Sequence, residues 1–121
     1  MIASVFRHGL QSEQVGDVTI VSFSDRDLLD AIMIQKLGEE LLSLASGVHR
    51  RQLVVNMSGV ERLSAMMVGK LIALQKDVQN AGGRVVLCRI DPRIYEIFRI
   101  FKFRRLSRIY QEEPEALQDF S

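Results

Sequence analysis

The chain has 121 residues and a mass of 13.8 kDa, which suits one compact domain and leaves little room for a second. Hydrophobic residues at 47% and charged residues at 26% exclude wholesale disorder and a collagen-like or repeat-biased chain. Sixteen basic against fifteen acidic side chains give a net charge of +1, without the strong positive field of a dedicated nucleic-acid binder, so no nucleic acid is expected as a partner.

The apolar runs Ala31–Ile34 and Ala65–Val68 fall far short of the roughly 20 residues needed to cross a bilayer, and no transmembrane segment is expected. Met1 to His8 lack the basic stretch and following apolar core that export machinery reads, which points to the cytoplasm. Residues 1–9 read as an N-terminal tail and 10–121 as a single domain. The lone cysteine, Cys88, can form neither an intramolecular disulfide nor a multi-cysteine metal site. Within Val85-Val86-Leu87-Cys88 it reads as a small buried hydrophobe.

In chain order, Leu10 to Val15 and the β-branched Val18 to Phe23 flank Gly16-Asp17 and predict a hairpin. From Asp30 onward Ile34, Leu37, Leu41, Leu42 and Leu44 recur at helical intervals until Ser46-Gly47, predicting a first helix. Leu53-Val54-Val55 does not alternate, as suits a central strand covered on both faces. After a loop from Met57, Ser64 is the natural N-cap of a second helix over Ala65–Ala81, with Val68, Leu71, Ile72 and Val78 on one stripe and Gly82-Gly83 at its end.

Arg84 to Cys88 predicts another buried strand. Asp91-Pro92 then opens a third helix, whose Ile94, Ile97, Phe98 and Phe101 mark a core stripe rather than a binding cage. Leu106 to Tyr110 supplies a last strand and Pro114 to Leu117 a short closing helix. Helices between successive strands predict an α/β sandwich, with a mixed central sheet of about four or five strands and about four helices.

The chemistry of the common enzyme classes is missing. There is no phosphate-binding loop and no dinucleotide fingerprint, since Gly82-Gly83 sits at a helix-to-strand junction, the wrong one for either. His8 and His49 lie near no nucleophile in sequence and read as solvated surface groups. Asn56 follows Leu53-Val54-Val55 where a phosphorylatable receiver domain needs a carboxylate, and an amide cannot become an acyl phosphate. No enzyme activity, metal or cofactor is expected.

The stretch from Val55 to Leu71, Val-Asn-Met-Ser-Gly-Val-Glu-Arg-Leu-Ser-Ala-Met-Met-Val-Gly-Lys-Leu, resembles the signature of STAS domains, the family of bacterial anti-sigma factor antagonists. Leu29-Asp30-Ala31 resembles the family's entry to its first helix. Gly82 to Cys88 and Pro92 to Phe98 resemble its next strand and helix, so the likeness covers roughly residues 10 to 118. It implies a STAS-like sandwich and an interaction module that binds an anti-sigma factor of the serine-kinase type, or another signalling protein, in bacterial stress or transcription regulation. Other roles compatible with it are a STAS-like subunit of a lipid-transport ATPase complex and a nucleotide or lipid-headgroup sensor.

In the family pattern a serine at the helix start is phosphorylated by a partner kinase. Aligning Leu63, Gly69 and Lys70 puts Ala65 on that position and Ser64 one residue before it, and a methyl group cannot accept phosphate. The resemblance therefore implies a partner-binding surface of Asp30, Ser58, Ser64, Ala65, Met66, Met67 and Lys70 that lacks the usual phosphoacceptor. Ser64 reads either as a displaced acceptor or as a plain helix cap. Ser58 reads as a partner contact or a turn former, and Asp30 as a partner contact or a carboxylate stabilised at a helix start. Adjacent on a helix, Met66 and Met67 point about 100° apart, so one belongs to the core and one to the surface.

One local charge asymmetry remains. Arg84, Arg89, Arg93, Arg99, Lys102, Arg104, Arg105 and Arg108 stand against Asp91 and Glu96 over residues 84–108. They read either as a site for nucleic acid or anionic lipid or as a solvated face neutralised in the fold by the acidic tail with Glu112, Glu113, Glu115 and Asp119.

Overall fold

A computed structural model describes residues 4–7, 9–46, 52–102 and 108–120. The N-terminal segment is a meander: β1 (Ser4–Arg7), β2 (Leu10–Val15) and β3 (Val18–Phe23) pair antiparallel. The predicted hairpin turns at Gly16, whose φ of 59° suits a residue without a β-carbon. Residues 1–9 read as a tail in the sequence, yet Ser4–Arg7 add an edge strand to β2.

The rest of the chain alternates. β4 (Asp27–Leu28) precedes α1 (Ala31–Ala45), β5 (Gln52–Asn56) and β6 (Arg62–Leu63) precede α2 (Ala65–Asn80), and β7 (Arg84–Cys88) precedes α3 (Pro92–Ile100). β8 (Arg108–Tyr110) and α4 (Glu113–Gln118) close the chain. The main sheet has the order β1-β2-β3-β5-β7-β8, with β3, β5, β7 and β8 parallel. It is a mixed α/β sheet with four helices, and it gains its sixth strand from β1.

Alternation along the central strands divides the core between two faces. Leu53, Val55, Val85 and Leu87 join the larger cluster with Ile34, Leu37 and Leu41 of α1, Val68, Leu71 and Leu74 of α2, and Phe98 of α3. Val54, Val86 and Cys88 point to the opposite face, where Ala116 of α4 covers them with Val18 and Ile20. Both faces of β5 and β7 are thus dry, which is why neither strand alternates polar with apolar residues.

Two stripe residues depart from expectation. Leu42 is exposed although it was counted with the α1 core; it directly follows the buried Leu41, so it points about 100° away from that stripe. Phe101 is exposed because α3 ends one residue earlier and Phe101 serves as its C-cap. Gly47, His8, His49, Leu106 and Ser107 lie outside the described residues.

Candidate functional site

Two helix starts are tied together by a short parallel ladder. β4 pairs with β6 through Asp27 opposite Arg62 and Leu28 opposite Leu63. The Ser64 amide then donates to the Leu28 carbonyl at 3.1 Å. Both segments then enter a helix: Asp30, two residues after Leu28, is the N-cap of α1, and Ser64, directly after Leu63, is the N-cap of α2. Asp30 Oδ1 accepts from the amides of Ile32 at 2.8 Å and Met33 at 3.0 Å. Ser64 Oγ accepts from the Met67 amide at 3.3 Å. The Asp30 carboxylate thus satisfies two first-turn amides of α1, while the Ser64 hydroxyl oxygen shares the Met67 amide with the Ser64 carbonyl at 3.1 Å.

Exposed apolar side chains stand at both of the clamped helix starts. Ile32 of α1 and Met66 of α2 hold the same place, two residues past their caps, and are 71% and 41% exposed; Leu29 just ahead of Asp30 is 46% exposed. Ala65, the first residue of α2, is also exposed. Met67 is fully buried, so the neighbouring methionines divide between surface and core. Lys70 lies farther along α2, and its Nζ donates to Gln35 Oε1 of α1 at 2.9 Å.

Asp30, Ser64, Ala65, Met66 and Lys70 therefore lie along the α1–α2 face, whereas Met67 points inward. Ser58 belongs to a different groove, lined also by Arg89, Asp91 and Glu112, none of which borders the groove at Asp30. The Ser58 amide donates to Asn56 Oδ1 at 2.8 Å, and Asn56 Nδ2 donates to Glu113 Oε2 at 2.7 Å. Asn56, in the place of a receiver carboxylate, thus joins the loop after β5 to α4.

Leu29 and Ile32 are the surface residues that sequence reasoning missed. Ile32 precedes Ile34 by two residues, so it lies about 200° around α1 from the buried stripe; that offset was the available signal.

Among the described residues, five arginines of the basic segment are paired, and Arg104 and Arg105 lie outside those residues. Arg84 and Arg108 both reach Asp119, Arg89 meets Glu112 at 2.7 Å, and Arg99 meets Glu96. Arg93 bridges Asp91 at 2.7 Å and Glu61 at 3.1 Å, and it holds the Asp91 carboxyl down at about 2. Burial, with the charge of Glu113 adding to it, pushes the Cys88 thiol up to about 12. Among the described residues no group of three or more His, Cys, Asp or Glu side chains could hold a metal ion. None of their helices is long and apolar enough to cross a membrane.

The STAS domain family model matches residues 10–116. The chain belongs to the STAS family. The fold of this STAS domain is shared with an anti-sigma-factor antagonist (STAS) domain protein from Planctomyces limnophilus at a TM-score of 0.76 and 18% identity, over 98% of this chain and 96% of that one. An anti-sigma factor antagonist from Mycobacterium paratuberculosis matches at a TM-score of 0.78 and 17% identity, over 98% and 93% of the two chains. A sulfate transporter family protein from Wolinella succinogenes also shares the fold, at a TM-score of 0.70 and 17% identity, over 86% and 84%.

Proposed function

We propose that this STAS domain is a non-enzymatic, cytoplasmic interaction module that acts as an anti-sigma factor antagonist. It binds an anti-sigma factor of the serine-kinase type and so frees the sigma factor in bacterial stress or transcription regulation. The observation that carries this reading is the exposure of the apolar side chains Leu29, Ile32 and Met66 at two helix starts clamped by the β4–β6 ladder, one of them in the signature segment that the family uses. Apolar area and shape supply the affinity, while Asp30 and Lys70 at its border set orientation.

Ala65 at the first position of α2 has no hydroxyl, and the Ser64 hydroxyl is engaged as a cap. Binding of this domain is therefore not controlled by phosphate at the usual place. The pairing of Arg84, Arg89 and Arg108 with the acidic tail counts against a headgroup or nucleotide sensor, which needs free cations.

Titration calorimetry with purified serine-kinase-type anti-sigma factors from the source genome tests the reading. Binding should be saturable and one-to-one, should weaken about tenfold or more in Ile32→Asp, and should persist with ATP present. Failure to bind any such kinase, or selective binding to a transport ATPase subunit, overturns it.

A further inference from the structure

The missing phosphoacceptor leaves a different reactive group at the same helix start. Met66 is the exposed methionine among the described residues: Met57 and Met67 are fully buried, and Met33 is partly buried against the core. Met66 stands one residue past Ala65, at the helix start clamped to that of α1, where Leu29 and Ile32 are also exposed. Thioether oxidation follows exposure, so position alone selects Met66 over the buried methionines. Cys88 does not compete, because it is buried on the α4 side of the sheet and only a thiolate reacts readily.

We propose that Met66 is an oxidation-sensitive modification site through which a hydroperoxide weakens partner binding; this rests on the antagonist reading above. The sulfur lone pair attacks the distal peroxide oxygen, the O–O bond breaks and an S–O bond forms. Sulfur is oxidised by two electrons, and the peroxide is reduced to water, or to an alcohol, with its proton passing to the departing oxygen. A dithiol reductant reverses the change, giving thioether, disulfide and water.

The sulfoxide oxygen is a strong acceptor placed where the contact surface is apolar. Free in water it is solvated; covered by a partner it loses that water, which corresponds to about tenfold or more in affinity. The fold is spared because Met66 is exposed and not part of the buried core.

The test treats the purified chain with limiting hydrogen peroxide, follows each methionine by peptide mass, and measures calorimetric affinity for the serine-kinase-type anti-sigma factor that the untreated chain binds. Met66 should oxidise well before Met57 and Met67, affinity should fall about tenfold or more, and the thermal midpoint should hold. Met66→Leu, whatever its own affinity, should lose nothing further on the same treatment, and a sulfoxide reductase should restore the oxidised wild-type chain. Equal oxidation of Met57 or Met67, or unchanged binding by Met66-oxidised protein, overturns the proposal while the antagonist reading stands. If the untreated chain binds no such kinase, both fall.

Discussion

Lys70 lies across Gly38, so close that a β-carbon would fit only if the lysine stem moved: built on Gly38, it would stand 2.8 Å from Lys70 Cδ. The stem of Lys70 thus occupies the crossing between α1 and α2 and carries its ammonium to Gln35. A buried glycine in the middle of a helix is unfavourable by propensity alone, and the close approach of the lysine stem accounts for it here.

Gly38→Leu should cost about 1–3 kcal/mol, because a branched side chain at this crossing overpacks the helix contact. Gly38→Ala should lie within about 1 kcal/mol of wild type, since the gain in helix propensity offsets a shift of the flexible lysine stem. Urea unfolding of the two variants checks both. A neutral Gly38→Leu would place the helices farther apart than the Lys70–Gln35 hydrogen bond allows.

Phe98 is fully buried between α3 and the sheet. Phe98→Ala should destabilise by about 3–5 kcal/mol, combining lost transfer energy with an unfilled cavity. A urea-denaturation difference below about 1 kcal/mol would contradict the register assigned to α3.

Most of the fold was legible because its signals are local. Ser64 and Asp91 are legible as caps one residue before their helices, Asp30 marks the start of α1, and Gly16 marks the β2–β3 hairpin. The β4–β6 ladder was not legible, since two strands of two residues carry no periodicity and their partners lie 35 positions apart, Asp27 with Arg62 and Leu28 with Leu63. That ladder builds the candidate site, so the sequence showed the α2 half, through the signature around Ser64, but not that Leu29 and Ile32 complete the patch. Ser58, which the family resemblance joined to the same surface, is delivered by the loop after β5 to the groove with Arg89.

Ser64→Ala should destabilise by about 0.5–2 kcal/mol, because the Met67 amide loses its side-chain acceptor. Ser64→Asp should retain wild-type stability, since aspartate caps equally well and its charge suits the helix start. Chemical denaturation of the pair checks this. A costless Ser64→Ala would remove the cap assignment and reopen Ser64 as a free hydroxyl.

Cys88 carries a pH dependence of known sign. Its thiol is raised from 9.0 to about 12 in the folded chain, chiefly by burial and next by the charge of Glu113. The unfolded chain therefore loses that proton first as pH rises, so the folded state binds more protons over this interval and stability falls from about pH 9 toward about 12. The contribution is fully present below pH 9. Comparing urea midpoints of wild type and Cys88→Ala from pH 8 to 11 should show an extra alkaline decline in wild type alone. Parallel curves would mean that the thiol is solvated.

Ala65 provides the decisive test of the inherited surface. It is exposed at the first position of α2, where free amides and the positive end of the helix dipole favour an added phosphate. The wild-type chain, incubated with ATP and the serine-kinase-type anti-sigma factor that binds it, should gain no mass, because Ala65 has no acceptor and the Ser64 hydroxyl points to the Met67 amide. Ala65→Ser should gain one phosphate by intact-mass measurement. Its charge of about −1.5 to −2 then lies against Ile32 and Met66, where a partner must strip its water, and affinity should fall about tenfold or more. Phosphorylation of the wild-type chain on Ser64, with binding lost in step, would show instead that the switch had moved by one residue and survived.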